Sequence, residues 1–227
     1  MKSEQAVVLL SGGIDSAVCL WLAKEKEWEI HSISFNYHNR QKKEMEAAQE
    51  LAARAGVEQH RVIDLPFLRE LNDHLVKPRA LSEQEIPSAY IPSRNLVFYS
   101  IAASWAESIS ARYVIGGHNS NDFGSFPDSR PEFFSKLNRL IDIGSWPTKK
   151  KRLEILTPLS KLDKSGVLRE AIRLDVPLEL TWSCCERDDV PCGICLACKI
   201  RFEAFSNLGL KDPIPYPKAT ISGRRTE

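Results

Sequence analysis

The sequence lacks an excess of charge of either sign. Its 227 residues include 31 lysines and arginines and 30 aspartates and glutamates, which leaves a formal net charge of +1. No global basic field therefore recruits nucleic acid, and RNA or DNA binding would need a local basic patch. Residues 149–152, Lys-Lys-Lys-Arg, form one such cluster, which we interpret as a solvated loop in preference to a phosphate contact. We therefore expect no direct nucleic-acid partner.

Long apolar runs are also missing. The first run, residues 6–10, is too short for a signal peptide and leads directly into glycines, and no stretch is long enough to span a membrane. The chain contains neither internal repeats nor low-complexity tracts. These absences lead us to expect a cytoplasmic, soluble protein without a membrane partner. The chain length suits one α/β domain with a small appended lobe.

Apolar strands alternate with amphipathic helices along most of the chain. Strands are predicted at 6–10, 30–35, 61–65 and 113–116, and helices from Ile14 onward and at 41–55, 95–110, 132–141, 161–174 and 196–207. Repeated strand–helix–strand order with short links predicts an α/β fold with a doubly wound, mostly parallel sheet. Ligands of such sheets bind beyond the carboxyl ends of the strands, at the point where the strand order reverses.

One long segment, residues 117–148, interrupts this alternation and is rich in Gly, Ser, Pro and Asp. Only a short helix is predicted within it. A loop of this length in a compact domain is usually functional or disordered, and its aromatic and charged residues favour a substrate-binding loop. We therefore predict a main α/β domain at 1–180 that includes this loop, and a lobe at 181–227 that ends in a helix and, after Pro213, in a surface arm.

The turn between the first strand and the first helix reads Ser-Gly-Gly-Ile-Asp-Ser at residues 11–16. Unpaired N–H groups and the helix dipole attract an anion at such a turn, and the two glycines permit positive φ and close approach of a ligand. Asp15 would repel phosphate unless Mg²⁺ bridges the two. The Gly-Lys-Ser/Thr ending is absent, which excludes a Walker A loop. The alternative is an ordinary Ser-Gly turn with a capping aspartate.

Five of the six cysteines lie within residues 184–198, whereas Cys19 is interpreted as a small core residue. In a reducing cytosol this crowding favours metal binding over disulfides. The spacing of four of them is that of short zinc-binding knuckles: Cys184, Cys192, Cys195 and Cys198. A closed four-cysteine site leaves no position for substrate, so the metal would be structural. An iron–sulfur cluster and a redox Cys-x-x-Cys are the alternatives, but neither explains four correctly spaced thiols with a fifth, Cys185, left over.

The turn at 11–16 matches the SGGxDS loop of the ATP-pyrophosphatase (PP-loop) superfamily at every specified position. Enzymes with that loop cleave ATP between the α and β phosphates and transfer AMP to a carbonyl or carboxylate oxygen. Four further stretches resemble the 7-cyano-7-deazaguanine synthase family of queuosine biosynthesis, which belongs to this superfamily. They are YHNRQKKE at 37–44, IPSRN at 91–95, GHNSNDFGSFPDSRPEF at 117–133, and TWSC at 181–184 followed by the Cys-Gly-x-Cys-x-x-Cys pattern.

The resemblance implies a two-stage ligase reaction on small-molecule substrates. ATP adenylates the carboxylate of 7-carboxy-7-deazaguanine, and ammonia displaces AMP to give the amide. A second ATP activates the amide oxygen, and loss of AMP leaves the nitrile. The resemblance also implies Mg²⁺ bound with ATP, a structural Zn²⁺ on the four cysteines, and a homodimer. The sequence has no obvious glutaminase segment to supply the ammonia.

The same resemblance assigns the site residues. Its ATP-binding residues are Leu10, Ser11, Gly12, Gly13, Ile14, Asp15 and Ser16. Its catalytic residues are Asp15, Ser16, Arg94 and Lys164. Its substrate-binding residues are Tyr37, Arg40, Arg94, Asn95, Asp122, Phe126 and Asp128. Simpler roles stay open for some of them: a surface ion pair for Arg94, a helix N-cap for Asn95, and a turn bonded to its own backbone for Asp128.

Some positions depart from the family's pattern, and these are His38, Gln41, Phe126, Ser129 and Gly166. The ATP-binding residues are unaffected, but the departures support a second hypothesis. In it the same adenylation acts on another deazapurine or on a group of a macromolecule. A PP-loop tRNA thiolase is a further alternative, which would need an RNA-binding surface and cysteines suited to sulfur chemistry. A zinc-ribbon binding module with a vestigial nucleotide fold would bind a partner without ATP turnover.

Overall fold

The structure is a computed structural model that describes residues 3–37, 42–71, 90–146 and 152–217. Its elements in chain order are β1 (Gln5–Leu9), α1 (Ile14–Glu25), β2 (Glu29–Asn36), α2 (Lys42–Ala55), β3 (Gln59–Asp64), α3 (Pro66–Glu70), α4 (Arg94–Ser108), β4 (Tyr113–Ile115), α5 (Pro131–Gly144), β5 (Glu154–Leu156), α6 (Lys164–Arg173) and α7 (Leu196–Asn207). Short 3₁₀ turns lie at Ser120–Asp122, Pro127–Ser129 and Leu178–Leu180. No helix in the described ranges is both long and apolar enough to cross a bilayer.

The five strands form one sheet in the order β3-β2-β1-β4-β5, and all four pairings are parallel. The predicted α/β fold with a parallel sheet is therefore confirmed. Strand order reverses between β1 and β4, so the carboxyl ends of these two strands open a crevice. The turn that follows β1 and the loop that follows β4 both begin at this crevice.

Alternate residues of β1 enter two separate cores, one on each face of the sheet. Val8 packs with side chains of α1, α2, α6 and α7, whereas Val7 packs with side chains of α4 and α5. Both valines are completely buried. A strand buried on both faces carries a continuous apolar run, which is how residues 6–10 read. Helices on both faces make the sheet doubly wound.

Several helix boundaries differ from the predicted ones for local reasons. α6 begins at Lys164 rather than at residue 161, because the Asp163 carboxylate caps it by accepting a hydrogen bond of 2.6 Å from the Gly166 N–H. α5 covers 14 residues, Pro131–Gly144, and is longer than the predicted short helix at 132–141. Its Pro131 suits the first helical position, and Phe134 and Leu137 anchor it in the core.

Three further features went unpredicted or were predicted wrongly. The short elements α3, of five residues, and β5, of three residues, were not predicted. The segment after Pro213 does not begin as a surface arm: Ile214 is buried against the cysteine cluster. Residues beyond Pro217 lie outside the described ranges. The domain boundary at residue 180 stays a prediction.

Candidate active site and metal centre

The turn at residues 11–13 forms the floor of the crevice, and its shape depends on Gly12. This glycine has a φ of +88°, and a Cβ at this position would lie 2.4 Å from the Glu44 carbonyl oxygen of α2. Inside the turn, Ser16 Oγ lies 3.0 Å from Ser11 Oγ and donates to the Gly13 carbonyl oxygen at 3.0 Å. The two hydroxyls predicted as ligand donors thus also hold the turn in shape.

The side chains of the turn restrict how a ligand can meet it. Leu10 and Ile14 are buried in the core, with 1% and 3% of their surface exposed. A nucleotide can therefore contact these two residues through the main chain only. Ile14, Asp15 and Ser16 form the first turn of α1, where N–H groups have no intrahelical acceptor and the helix dipole is positive. The arrangement suits a polyphosphate.

Replacing Gly12 by alanine tests the packing of this turn. We expect Gly12→Ala to lower the free energy of unfolding by about 3 kcal/mol, because left-handed strain and a clash with the α2 backbone add together. Gly56→Ala is the matched control: Gly56 has a φ of +75° but no atom within 4 Å of its built Cβ. It should cost about 1 kcal/mol. Denaturant unfolding measures both variants, and equal losses would contradict the contact with α2.

Asp15 is the centre of a charged cluster in the crevice. Its Oδ2 accepts hydrogen bonds from Lys164 Nζ at 2.6 Å and from Asn119 Nδ2 at 3.3 Å. Its Oδ1 is buried and has no hydrogen-bond partner in the described part of the chain. A carboxylate oxygen of this kind beside the predicted phosphate-binding turn suits Mg²⁺, since this ion takes one or two carboxylates together with substrate phosphates. The donor set therefore fits Mg²⁺.

Two residues of the loop after β4 complete this cluster, and neither was predicted as a site residue. Asn119 is buried and caps the following 3₁₀ turn, with its Oδ1 accepting from the Asn121 N–H at 2.9 Å. Gly117 allows the loop to touch α1, because a Cβ there would lie 2.8 Å from the Asp15 carbonyl carbon. Both lie in the GHN stretch, but their roles depend on β4 lying beside β1.

A second cluster joins four of the predicted substrate-binding residues. Arg94 Nη1 donates to the Tyr37 hydroxyl at 3.3 Å, and the guanidinium lies 5.6 Å from the centroid of the tyrosine ring. The Asn95 side chain donates to the Asp128 carbonyl oxygen at 3.0 Å, and the Asn95 N–H donates to Asp128 Oδ2 at 3.2 Å. The Asp128 carboxylate thus caps the N-terminus of α4 from another element.

The open alternative that Asn95 is the N-cap of α4 is wrong. Ser93 occupies the cap position with a φ of +56° and no capping side-chain bond, and Asn95 lies inside the helix. The turn alternative for Asp128 is also incomplete, because its carboxylate bonds α4. A serine in the left-handed region is strained, and such strain is common at functional sites. The strained residue, Ser93, directly precedes Arg94.

Two titratable side chains lie near both clusters. Burial raises the pKa of the Asp122 carboxyl. The negative charge of Asp15 acts in the same direction, whereas the positive charges of Lys164 and Arg94 act against it. Burial also lowers the pKa of His118 to about 4, and the positive charge of Arg94 acts in the same direction. The His118 ring contacts aromatic rings of the core, 4.9 Å from the centroid of Phe134. Its imidazole is therefore neutral near pH 7, and Lys164 and Arg94 supply positive charge here.

The depressed pKa of His118 predicts a pH dependence of stability. Between pH 6.5 and about 4 the unfolded chain binds a proton at this histidine that the folded chain does not, so stability falls with falling pH. The loss amounts to about 3 kcal/mol by pH 4. Denaturant unfolding at pH 7 and pH 4.5 should show a smaller difference for His118→Gln than for the unsubstituted protein. The same difference in both proteins would contradict the pKa shift.

The remaining predicted substrate residues are placed only in part. Phe126 is half-buried and directly precedes the 3₁₀ turn that carries Asp128. Arg40 lies outside the described residues, as do His38 and Gln41, and so do 149–151 of the basic cluster. Cys19 is fully buried in the core, as predicted.

The four predicted ligand cysteines meet at one point. Their sulfur atoms all lie within 4.8 Å of one another, and those of Cys192 and Cys198 are 4.0 Å apart. A tetrahedral Zn²⁺ with bonds of about 2.3 Å needs sulfur atoms roughly 3.8 Å apart, so the set fits this ion. The Cys195 N–H donates to the Cys192 sulfur at 3.3 Å, a contact that stabilises a thiolate ligand. Cys185 is exposed and outside this set.

The chain is similar to known proteins over most of its length. The profile of the family described as queuosine biosynthesis protein QueC matches residues 5–209. A 7-cyano-7-deazaguanine synthase from Nostoc sp. is 38% identical over 222 residues, which cover 93% of this chain and 97% of that protein. A synthase of the same name from Thermoplasma acidophilum is 38% identical over 224 residues, covering 96% and 94%. A crystal structure of a predicted tRNA methyltransferase subunit from Methanocaldococcus jannaschii is similar in fold, with a TM-score of 0.50, 20% identity and 74% of each chain covered.

Proposed function

Since the chain belongs to the family of queuosine biosynthesis protein QueC, we propose that it is an ATP-dependent synthase of 7-cyano-7-deazaguanine. Its substrates would be 7-carboxy-7-deazaguanine, ammonia and two molecules of ATP. The observation that carries the proposal is the Asp15 cluster: a buried carboxylate oxygen with no partner among the described residues lies beside a lysine and the N-terminus of α1. This combination serves a reaction in which pyrophosphate is the leaving group.

The first stage turns a carboxylate into a better electrophile. An oxygen of the substrate carboxylate attacks the α-phosphorus of ATP, the bond to the bridging oxygen breaks, and pyrophosphate leaves. The N–H groups of the 11–16 turn and the Lys164 ammonium stabilise the charge that develops on the leaving group. Mg²⁺ held by Asp15 would supply further charge neutralisation. Ammonia then attacks the acyl carbon, AMP leaves and a proton is released, which gives the amide.

The second stage repeats the activation on the amide. Its oxygen attacks a second ATP at the α-phosphorus, and pyrophosphate leaves again. Loss of AMP and of the nitrogen-bound protons then gives the nitrile. One site can perform both stages, because the attacking atom is in each case an oxygen on the same carbon of the same heterocycle. Two AMP and two pyrophosphate molecules are released for each nitrile.

The second cluster suits the heterocycle and its carboxylate. The Arg94 guanidinium is a geometric match for a carboxylate, and the Tyr37 ring beside it offers an apolar face to a flat base. Asp128 uses one oxygen on α4 and has further acceptor capacity for a guanine-like N–H group and amino group. We assign Asn95, Asp122 and Phe126 to the same substrate site, whereas Arg40, outside the described residues, stays a prediction from the family resemblance.

The cysteine cluster would hold a structural Zn²⁺, because four sulfur ligands leave no open position for substrate. The lobe that carries the metal would thus stabilise the fold and take no direct part in the reaction. A homodimer, a cytoplasmic location and the absence of a nucleic-acid partner stay predictions from the sequence.

Product analysis tests the proposal. The protein is incubated with 7-carboxy-7-deazaguanine, ATP, Mg²⁺ and ammonium, and products are identified by mass spectrometry. We expect the amide to form first and the nitrile to follow, with AMP and pyrophosphate in equal amounts. Release of ADP and orthophosphate would contradict the proposed chemistry. AMP release that requires a different acceptor would instead support the hypothesis of a divergent adenylating enzyme.

A further inference from the structure

The segment Thr181–Cys184 connects the cysteine cluster to the ATP-binding turn. The Trp182 main-chain N–H donates to the Gly12 carbonyl oxygen at 2.8 Å. Trp182 itself is buried, with 4% of its surface exposed. The contact joins the lobe to the middle of the turn at 11–13, and nothing in the proposed chemistry uses it.

This hydrogen bond fixes the orientation of one peptide group in the turn. The Gly12–Gly13 peptide is planar, and its carbonyl and N–H point in opposite directions. The carbonyl is held by Trp182, and the Gly13 N–H donates to Ser11 Oγ at 3.3 Å. Rotation of this peptide would break both bonds. The direction of the Gly13 N–H, which directly precedes α1, therefore depends on where Trp182 lies.

The cysteine side holds Trp182 through its indole group. Trp182 Nε1 donates to the carbonyl oxygen of Cys184 at 2.9 Å, and Cys184 is one of the four sulfur ligands. Trp182, Cys184 and Cys198 also pack in one apolar cluster with Ala47 of α2. Ala47 in turn faces Gly12, since its Cβ lies 3.2 Å from a Cβ built on that glycine. A metal that orders the cysteines would thus order the indole.

A buried ion pair holds the segment from its other end. Arg201 is 2% exposed, and its Nε and Nη2 donate to the Asp212 carboxylate at 2.7 and 3.0 Å. Its Nη1 donates to Thr181 Oγ1 at 2.7 Å. A bidentate, buried arginine–carboxylate pair is rigid and geometrically specific. Trp182 is therefore fixed between this ion pair and the cysteine cluster.

We propose that Trp182 is a positioning residue, through which metal loading of the cysteine cluster orders the ATP-binding turn. The inference rests on the proposed function in that the turn binds ATP. It predicts a specific pattern: disturbing Trp182 weakens ATP binding and leaves the affinity for the deazapurine acid unchanged. A merely structural tryptophan would lower stability without this selectivity.

The test compares Trp182→Phe with Trp105→Phe. Trp105 is a matched control because it is also buried, at 7% exposure, and lies on α4, on the opposite face of the sheet. Its Nε1 has no hydrogen-bond partner among the described residues. For Trp182→Phe we expect the Kd of a non-hydrolysable ATP analogue and the KM for ATP to rise about tenfold, which corresponds to about 1.4 kcal/mol. Zinc content, and the KM for the acid, should stay unchanged.

Trp105→Phe should leave the ATP constants within twofold. Equal changes in both variants, or an unchanged ATP affinity in Trp182→Phe, would overturn the inference. If Trp182→Phe does not fold, hydrogen exchange of the unsubstituted protein before and after zinc chelation decides instead. We expect faster exchange of the amides at 11–16 and 181–184 after chelation, with β2 and β3 still protected. Unchanged exchange at 11–16, or loss of protection throughout the sheet, would overturn the coupling.

This design separates two kinds of failure. If the unsubstituted protein neither binds the analogue nor forms AMP, the proposed function is wrong. The exchange rates at 11–16 with and without zinc still answer whether the cysteine cluster orders the turn. If AMP forms normally and chelation leaves the turn unaffected, only the coupling is wrong.

Discussion

Asp15→Asn should form AMP at least about a hundredfold more slowly than the unsubstituted protein, at saturating ATP and acid. The substitution keeps the size of the side chain and removes its charge. The unpartnered Oδ1 would lose its capacity to bind Mg²⁺, and Lys164 would lose the carboxylate that it contacts at 2.6 Å. Both effects act on the leaving pyrophosphate. Pyrophosphate release under pre-steady-state conditions measures the loss directly.

A surface aspartate provides the control for this substitution. Asp142 of α5 is exposed and pairs with Arg152, and Asp142→Asn removes the same charge there. We expect an unchanged rate and a stability within about 1 kcal/mol, since exposed ion pairs contribute little. Asp15→Asn should also need more Mg²⁺ to reach its own maximal rate. A normal rate in Asp15→Asn would exclude this carboxylate from the chemistry.

The sequence predicted those parts of the site that lie together along the chain. The turn at 11–16 is one continuous string between a strand and a helix. The same local pattern implies N–H groups without an intrahelical acceptor, because they lie at the start of the helix. The four cysteines lie within 15 residues, so their spacing alone restricts them to one cluster. The alternation of apolar segments likewise predicted the parallel sheet, because strand and helix periods are local properties.

The contacts that complete the site join residues far apart in the sequence, so local sequence patterns do not predict them. Asn119 and Asp15 are separated by 104 residues and meet because β4 pairs with β1. The Asp128 cap on α4 depends on a contact across 33 residues, and a local reading placed Asn95 in the cap instead. Trp182 reaches Gly12 because its lobe packs against Ala47 of α2. The first of these contacts requires the strand order and the other two require tertiary packing, neither of which the residue types specify.

The second large effect is expected from the loss of one cysteine ligand in the predicted metal centre. Two neighbouring cysteines provide the variant and its control. Cys184→Ser removes one of the four sulfur ligands, whereas Cys185→Ser removes an exposed thiol that lies outside the ligand set. We expect Cys184→Ser to purify with much less than one zinc per chain and with a lobe that unfolds far below the temperature of the unsubstituted protein. Structural zinc sites have apparent binding free energies of about 10–16 kcal/mol, and this value sets the scale of the loss.

Metal analysis and calorimetry measure both variants. Cys185→Ser should keep one zinc and the original unfolding temperature, because Cys185 is adjacent in sequence but contributes no ligand. Full zinc occupancy in Cys184→Ser would contradict the assigned ligand set, and loss of zinc in Cys185→Ser would show that the fifth cysteine also binds the ion. Iron with acid-labile sulfide in the unsubstituted protein would replace the zinc assignment by a cluster. Since the Cys184 carbonyl oxygen also accepts the indole hydrogen bond of Trp182, we expect the loss of zinc to disorder the turn at 11–16 as well.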